Sequence, residues 1–232
     1  MYVFLQIWGY KVYENENRID CTACNFDSFF STIFNIPFSV YFLLRDELLI
    51  HCCSMVMRDK CVCIAGVKGV GKSTLVSLLS DDEHIILGDD TLRVKKNLMA
   101  YRAHNLIKIT AETASSIAMR YDVTRCTNSV GKYYGILPDL KGSYDVSSFV
   151  ELSRKEAPLK IRKINGFLIR NSMLRRNIVG VNFFDKQLLK KVHSATLDVE
   201  ISCFSLEIPN DLSILLKEQS NIKQVFEEVI YE

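Results

Sequence analysis

Three short stretches carry the side chains able to do chemistry. The first, Gly66-Val-Lys-Gly-Val-Gly-Lys-Ser73, has the G-x-x-x-x-G-K-S spacing of a phosphate-binding loop. Glycine at 66, 69 and 71 lets the backbone take left-handed angles and come close to a ligand. Successive N–H groups can then form a nest for phosphate oxygens. Lys72 supplies a cation between β- and γ-phosphates, Ser73 a hard oxygen for Mg²⁺, and the helix starting near Ser73 its positive dipole end. The residues expected to touch nucleotide are Gly66, Lys68, Gly69, Val70, Gly71, Lys72, Ser73 and Thr74.

The second stretch is His84-Ile-Ile-Leu-Gly-Asp89-Asp90, an apolar run closing on two adjacent carboxylates. An acidic residue at a strand end often holds Mg²⁺ in phosphate-binding-loop proteins. Neighbours on a strand point to opposite faces, so the doublet implies a division of labour. One carboxylate would serve the metal, with Ser73, and the other would take a proton from an attacking hydroxyl. The spacing does not say which of Asp89 and Asp90 is which. The third stretch holds His51, in the apolar run before the loop. A lone histidine there is more often a satisfied core residue than a catalyst.

These residues need positioning, and the flanking sequence supplies it. Lys60-Cys-Val-Cys-Ile-Ala65 reads as a strand and Ser73-Thr-Leu-Val-Ser-Leu-Leu79 as a helix, the context the glycine motif requires. Leu48 to Met57 reads as one strand, turning at Arg58-Asp-Lys60 into the strand that delivers the loop. Upstream, residues 2–13 suggest a hairpin broken at Gly9-Tyr10. Asp27 could cap a short helix carrying Phe29, Phe30, Ile33 and Phe34, and Pro37 opens another running to Leu44. Downstream, Thr91 to Ile109 holds short strands with a turn near Lys95-Lys-Asn97. Thr110 to Met119 reads as a helix, and Val130 to Leu137 leads into a strand. Residues 138–160 read as polar loop, and Ile161 to Ile169 as a strand. Asp185 to Val192 reads as a helix, Val199 to Leu206 as a strand, and the end as a helix with Ile222, Val225, Phe226, Val229 and Ile230 on one face.

With 232 residues, 48% of them hydrophobic, the chain can build a sizeable core. The expectation is a single α/β domain over 1–232, its first 47 residues adding strands and helices to the core. A net charge of +2 with no basic arm gives no reason to invoke nucleic acid. The apolar run from Phe38 to Met57 is broken by Arg45-Asp-Glu47, so no membrane span is expected. Without a signal-like N-terminus the expected location is cytoplasmic. In that compartment the eight cysteines read as thiols, and Cys21-x-x-Cys24 lacks a second pair for zinc.

Together the segments Leu49-Ile-His51-Cys-Cys-Ser54, Cys61 to Ser73 and His84 to Asp90 resemble the HPr kinase/phosphorylase family. They look most like its short, free-standing members, some of which phosphorylate a serine on a ribosomal peptide such as a lasso-peptide precursor. The likeness is firm over residues 48–90 and loose over 100–137, where Gly131-Lys132-Tyr133 is similar to a family segment. It implies a mixed, largely antiparallel α/β core shared with ATP-dependent phosphoenolpyruvate carboxykinase. It also implies ATP and Mg²⁺, and a γ-phosphoryl group passed to a serine-type hydroxyl of a peptide or protein. By position Lys72 would contact phosphates and Ser73 the metal, Asp89 and Asp90 would divide metal and base, and His51 would lie near them. Longer relatives assemble, so a homo-oligomer is compatible with the likeness. Two features depart from it: Val67-Lys68 precedes the second glycine, and the C-terminal signature of the longer enzymes is not found. The second argues against HPr itself as substrate. Competing readings are a small-molecule hydroxyl kinase and a non-catalytic nucleotide-binding switch. Arg170, Arg175 and Arg176 are candidates for a further cation by charge alone.

Overall fold

The computed structural model describes residues 2–5, 10–13, 19–21, 35–103, 105–111, 113–114, 122–125, 132–140, 142–156, 159–197 and 199–231. In chain order they form β1 (Tyr2–Leu5), β2 (Tyr10–Tyr13), β3 (Ile19–Cys21), α1 (Asn35–Leu43), β4 (Glu47–Ile50), β5 (Cys53–Met57), β6 (Lys60–Ala65), α2 (Lys72–Leu79), β7 (His84–Gly88), β8 (Leu92–Lys95), β9 (Met99–Arg102) and β10 (Leu106–Thr110). There follow β11 (Asp122–Arg125), β12 (Lys132–Ile136), β13 (Tyr144–Lys155), β14 (Lys160–Lys163), α3 (Phe167–Arg176), α4 (Lys186–Leu197), β15 (Ser202–Pro209), α5 (Leu212–Lys217) and α6 (Gln219–Tyr231). The architecture is mixed α/β with a largely antiparallel main sheet.

That sheet has nine strands, with β4-β8-β9-β13-β6-β5-β7 as its path and β15 and β14 branching from β13. Among the described residues only β13 pairs in parallel, with β6 on one edge and β15 on the other. The other pairings are antiparallel. Since β5 runs against both β6 and β7, the C-terminal ends of β6, β7 and β13 meet at one sheet edge beside the start of β5. The glycine loop follows β6 there, and the acidic doublet follows β7. Topology thus brings together stretches far apart in the chain.

Two cores flank the sheet. Cys61 and Cys63 of β6 face a cluster with α1, α3 and α4, including Val40, Phe149, Leu174 and Leu188. Val62 and Ile64 face the opposite cluster with α2 and α6, including Leu75, Leu79 and Phe226. Burial on both faces explains why β6 reads as an unbroken apolar run. The cysteines of β5, β6 and β15 are free and buried, behaving as small hydrophobes. Cys24 of the C-x-x-C lies outside the described residues.

Several expectations change. The most consequential is residues 138–160, read as loop: they contain β13, a twelve-residue strand at the centre of the sheet. Its serine pair disguises it. Ser147 sits in a β-bulge against β6, its hydroxyl donating to the Cys61 carbonyl at 3.3 Å, while Ser148 is fully buried. The single strand expected from Leu48 to Met57 is two, parted at His51-Cys52: β4 pairs with β8 and β5 with β6. The strand expected to run to Ile169 stops at Lys163, and a left-handed Gly166 (φ 100°) opens α3 instead. The 2–13 hairpin is present, with Tyr2 opposite Tyr13, and β3 extends it. The helix proposed after Asp27 lies outside the described residues, as does most of the one after Thr110. Among the described residues no helix is long and apolar enough to cross a membrane.

A polar cluster fixes the outer edge of the α2–β7 connection. Asp81 accepts from Nδ1 of the buried His84 at 2.7 Å and pairs with Lys223 of α6. Burial acts to raise the Asp81 pKa, but Lys223 and then His84 hold it well below the usual carboxylate range. A depressed carboxyl stabilises the fold fully above its unfolded pKa near 4 and loses that contribution as pH falls through the folded value. Asp81→Asn is therefore expected to cost about 1 kcal/mol at neutral pH in urea unfolding, the exposure of the pair limiting the loss. The difference from wild type should shrink below about pH 4.

Candidate active site

The glycine loop crosses the end of the sheet with Gly66, Gly69 and Gly71 at φ 147°, 82° and 106°. Two of the three are also held by space. A Cβ on Gly66 would lie 2.6 Å from the Leu152 carbonyl oxygen, and one on Gly71 2.8 Å from the Arg154 guanidinium. Lys72 is buried and its Nζ donates to the carbonyls of Gly66 and Val67 at 2.9 and 3.4 Å. Val70 is buried, whereas Lys68 and Gly69 are exposed. Thr74 turns from the loop toward Thr113, with their hydroxyls 3.2 Å apart.

Ser73 faces Asp89. Its hydroxyl donates to Asp89 Oδ1 at 2.7 Å. The Cys53 thiol, fully buried at the start of β5, donates to the same oxygen at 2.7 Å. The Lys108 amide of β10 donates to Oδ2 at 2.8 Å. Asp89 is only 1% exposed. Burial first, and the Asp90 charge second, raise its pKa; the three donors oppose them. Burial and the Asp89 carboxylate push the Cys53 thiol well above its ordinary value, so it stays a neutral donor.

Asp90 is arranged differently. β7 ends before the doublet, so the two carboxylates do not alternate across a strand. The Thr91 amide donates to the Asp89 carbonyl at 2.7 Å across Asp90, whose φ is +60°. That is a γ-turn with a left-handed centre, a conformation that is rare and strained for a non-glycine residue. It leaves the Asp90 side chain exposed at the rim while Asp89 points inward. The bend starts earlier: a bulge between β5 and β7 leaves Leu87 extra, and Arg102 caps the carbonyls of Ile86 and Leu87 at 2.6 and 2.7 Å.

His51 occupies the break between β4 and β5, half-buried. Its amide is held by the Asn177 carbonyl at 2.7 Å. Burial first and the Lys72 charge second lower its pKa, while the Asp90 and Asp89 charges and a hydrogen bond to the Asp90 main chain raise it. The structure therefore brings His51, Lys72, Ser73, Asp89 and Asp90 to one place.

Further residues at this site went unread in the sequence. Arg154, near the end of β13, donates to the Val70 and Asn210 carbonyls at 2.7 Å each and braces the loop from behind. Glu151, three residues earlier, shares a cleft of about 490 Å³ with Val67, Lys68 and Arg154, and pairs with Arg176 of α3. Of the three arginines singled out by charge, Arg176 is thus the one tied to the loop's surroundings; Arg175 turns to Thr196 and His193 of α4. Glu151 and Arg154 belong to β13, whose serines give that stretch the composition of a loop. Cys53 and the Lys108 amide left no motif.

The donor set suits a hard divalent cation. Ser73 Oγ and Asp89 Oδ1 are adjacent oxygens of the kind Mg²⁺ takes, the remaining positions going to phosphate oxygens and water. Among the described residues no group of three or more His, Cys, Asp or Glu is arranged to hold a metal alone, so an ion here would rely on such additional ligands.

No protein-family model matches the chain, and no curated protein matches it. Among solved structures it is similar to the HPr(Ser) kinase/phosphatase from Coxiella burnetii, with 17% identity and a TM-score of 0.37, over 78% of this chain and 98% of that one.

The raised Asp89 pKa means that folding is opposed by a buried charge. Asp89→Asn is expected to stabilise the ligand-free protein by about 1 kcal/mol, a Tm increase of about 2–4 °C. The gain belongs to pH values above the carboxyl's raised folded pKa and should vanish as pH falls below its unfolded one. Thermal unfolding at neutral and acid pH checks both parts; a lower Tm at neutral pH would contradict the electrostatic reading.

Proposed function

We propose that the protein is an ATP- and Mg²⁺-dependent kinase that transfers the γ-phosphoryl group to a serine-type hydroxyl of a peptide or protein. The observation that carries this is the split environment of the acidic doublet. Asp89 is buried, triply hydrogen-bonded and joined to the loop serine; Asp90 stands exposed beside it on a strained turn. A switch that only binds nucleotide has use for the first carboxylate and none for the second. The resemblance of residues 48–90 to HPr-kinase-like serine kinases points the same way.

In this reading the loop amides and Lys72 hold the triphosphate, Lys72 exchanging its loop carbonyls for phosphate oxygens. Ser73 and Asp89 would hold Mg²⁺, which would supply neutralisation of phosphate charge. The acceptor oxygen forms a bond to the γ-phosphorus as the bond to the bridging oxygen breaks, and ADP leaves. Asp90 takes the hydroxyl proton. His51, half-buried beside the doublet with its pKa lowered by burial and by the Lys72 charge, sits next to that turn and would help to position it. The chain contributes mainly position and electrostatics. Arg154 and the glycine backbone keep the loop's shape, which a side chain at 66 or 71 would break.

Lys72→Ala should lower phosphoryl transfer by about 10²-fold or more. Asp90→Asn should retain nucleotide binding and lose transfer by about 10²–10⁴-fold. Mass-spectrometric assay of wild type and variants with ATP, offered serine peptides and free serine in parallel, checks this. Transfer to free serine alone would favour a small-molecule kinase. Near-normal transfer in Asp90→Asn would contradict the proposed base.

A further inference from the structure

Beside the catalytic edge lies a groove that the chemistry just described does not use. It holds about 330 Å³ between α3, Val181 and α4. One face of α3 forms its floor, in steps of one helical turn: Phe167 and Leu168, then Asn171 and Ser172, then Arg175 and Arg176. Apolar character thus sits at the start of the helix and positive charge at its end. Phe167 and Leu168 are 45% and 80% exposed. Hydrogen bonds tie its two walls together. Asn171 Nδ2 donates to the Thr196 carbonyl at 2.9 Å, and Arg175 Nε donates to the Thr196 hydroxyl at 3.2 Å, linking α3 to α4.

Two properties say what it would take. The first is charge. From Phe167 to Leu197 the chain has six Lys or Arg and one acid, Asp185. That acid caps α4, accepting from the amides of Gln187 and Leu188 at 2.9 and 2.8 Å, and Glu151 of β13 pairs with Arg176, so the groove's positive charge rests chiefly on Arg175, whose partners are Thr196 and His193. The second is continuity with the catalytic edge. Arg176 and Val181 also line the adjoining hollow that contains His51, and Arg176 pairs with Glu151 in the cleft beside the glycine loop. Basic residues in the last turn of α3 complement its dipole, which accounts for part of the charge. It does not account for Phe167, Leu168 and Ile169, three large apolar side chains left in solvent at the other end, the first two of them in the groove.

We infer that the α3–α4 groove docks the acceptor polypeptide, as a segment carrying an apolar side chain for the Phe167–Leu168 end and acidic residues for the Arg175 end. The inference rests on the kinase reading for its meaning, since docking there delivers a neighbouring hydroxyl toward Asp90. The groove itself is a binding property that can be measured without nucleotide. Charge complementarity sets which segments dock, and apolar burial holds them.

The test uses the full chain, without ATP, and fluorescein-labelled short peptides of one design: a serine flanked by Glu and Leu, and its counterpart with every Glu changed to Lys. Anisotropy should show the acidic peptide binding more tightly by about tenfold or more. Leu168→Asp, at an exposed position outside the catalytic machinery, should weaken the acidic peptide by about tenfold. Ile214→Asp, an exposed apolar position on α5, should leave binding unchanged. Equal binding of the two peptides, tighter binding of the basic one or of an RNA oligonucleotide, or indifference to Leu168→Asp would overturn the inference. Calorimetric titration of MgATP into Leu168→Asp should match wild type. Absence of MgATP binding in both would sink the kinase reading alone, and normal MgATP binding with no peptide preference the groove alone.

Discussion

The structure turns on one buried carboxylate. Asp89 receives hydrogen bonds from the Cys53 thiol of β5, the Ser73 hydroxyl of α2 and the Lys108 amide of β10. Three elements distant in sequence converge on its two oxygens. An ionised carboxylate is costly in such a place unless its lone pairs are filled, and here they are filled by groups that no single stretch of chain supplies. The carboxylate therefore needs the assembled sheet edge, and its position in turn fixes where Ser73 and the glycine loop lie.

The rest of the edge serves that arrangement. Parallel pairing of β13 with β6 puts Arg154 behind the loop. The bulge at Leu87, capped by Arg102, turns the chain out of β7 so that Asp89 points inward and Asp90 outward. The gap between β4 and β5 leaves His51 beside that turn. Asp46, Arg58, Asp59 and Leu98 share the left-handed φ of Asp90 in turns elsewhere; what sets Asp90 apart is the Thr91–Asp89 bond that closes across it.

Much of this was legible in the sequence because it is local. The glycine spacing, the strand before it, the helix after it and the acidic doublet are consecutive residues, and their types follow from backbone freedom and charge. What was not legible is what depends on pairing partners. β13 is a central strand whose Ser147-Ser148 imitates a loop; the first serine sits in a bulge and the second is buried against both neighbours. With it went Glu151 and Arg154. The break at His51-Cys52 could not be seen either, since β4 and β5 are continuous in hydrophobicity and part only because they pair with different strands. The different exposures of Asp89 and Asp90 follow from a γ-turn, and neighbouring identical residues give no sign of it.

The proposed kinase requires that Ser73 and Asp89 form a cation site that works only together with a nucleotide in the glycine loop. Calorimetric titration of ATP with and without Mg²⁺, into wild type and Ser73→Ala, tests it most directly. Mg²⁺ should tighten ATP binding to wild type by about tenfold or more and have little effect on Ser73→Ala. ATP binding indifferent to Mg²⁺ in wild type, or equally enhanced in Ser73→Ala, would contradict it.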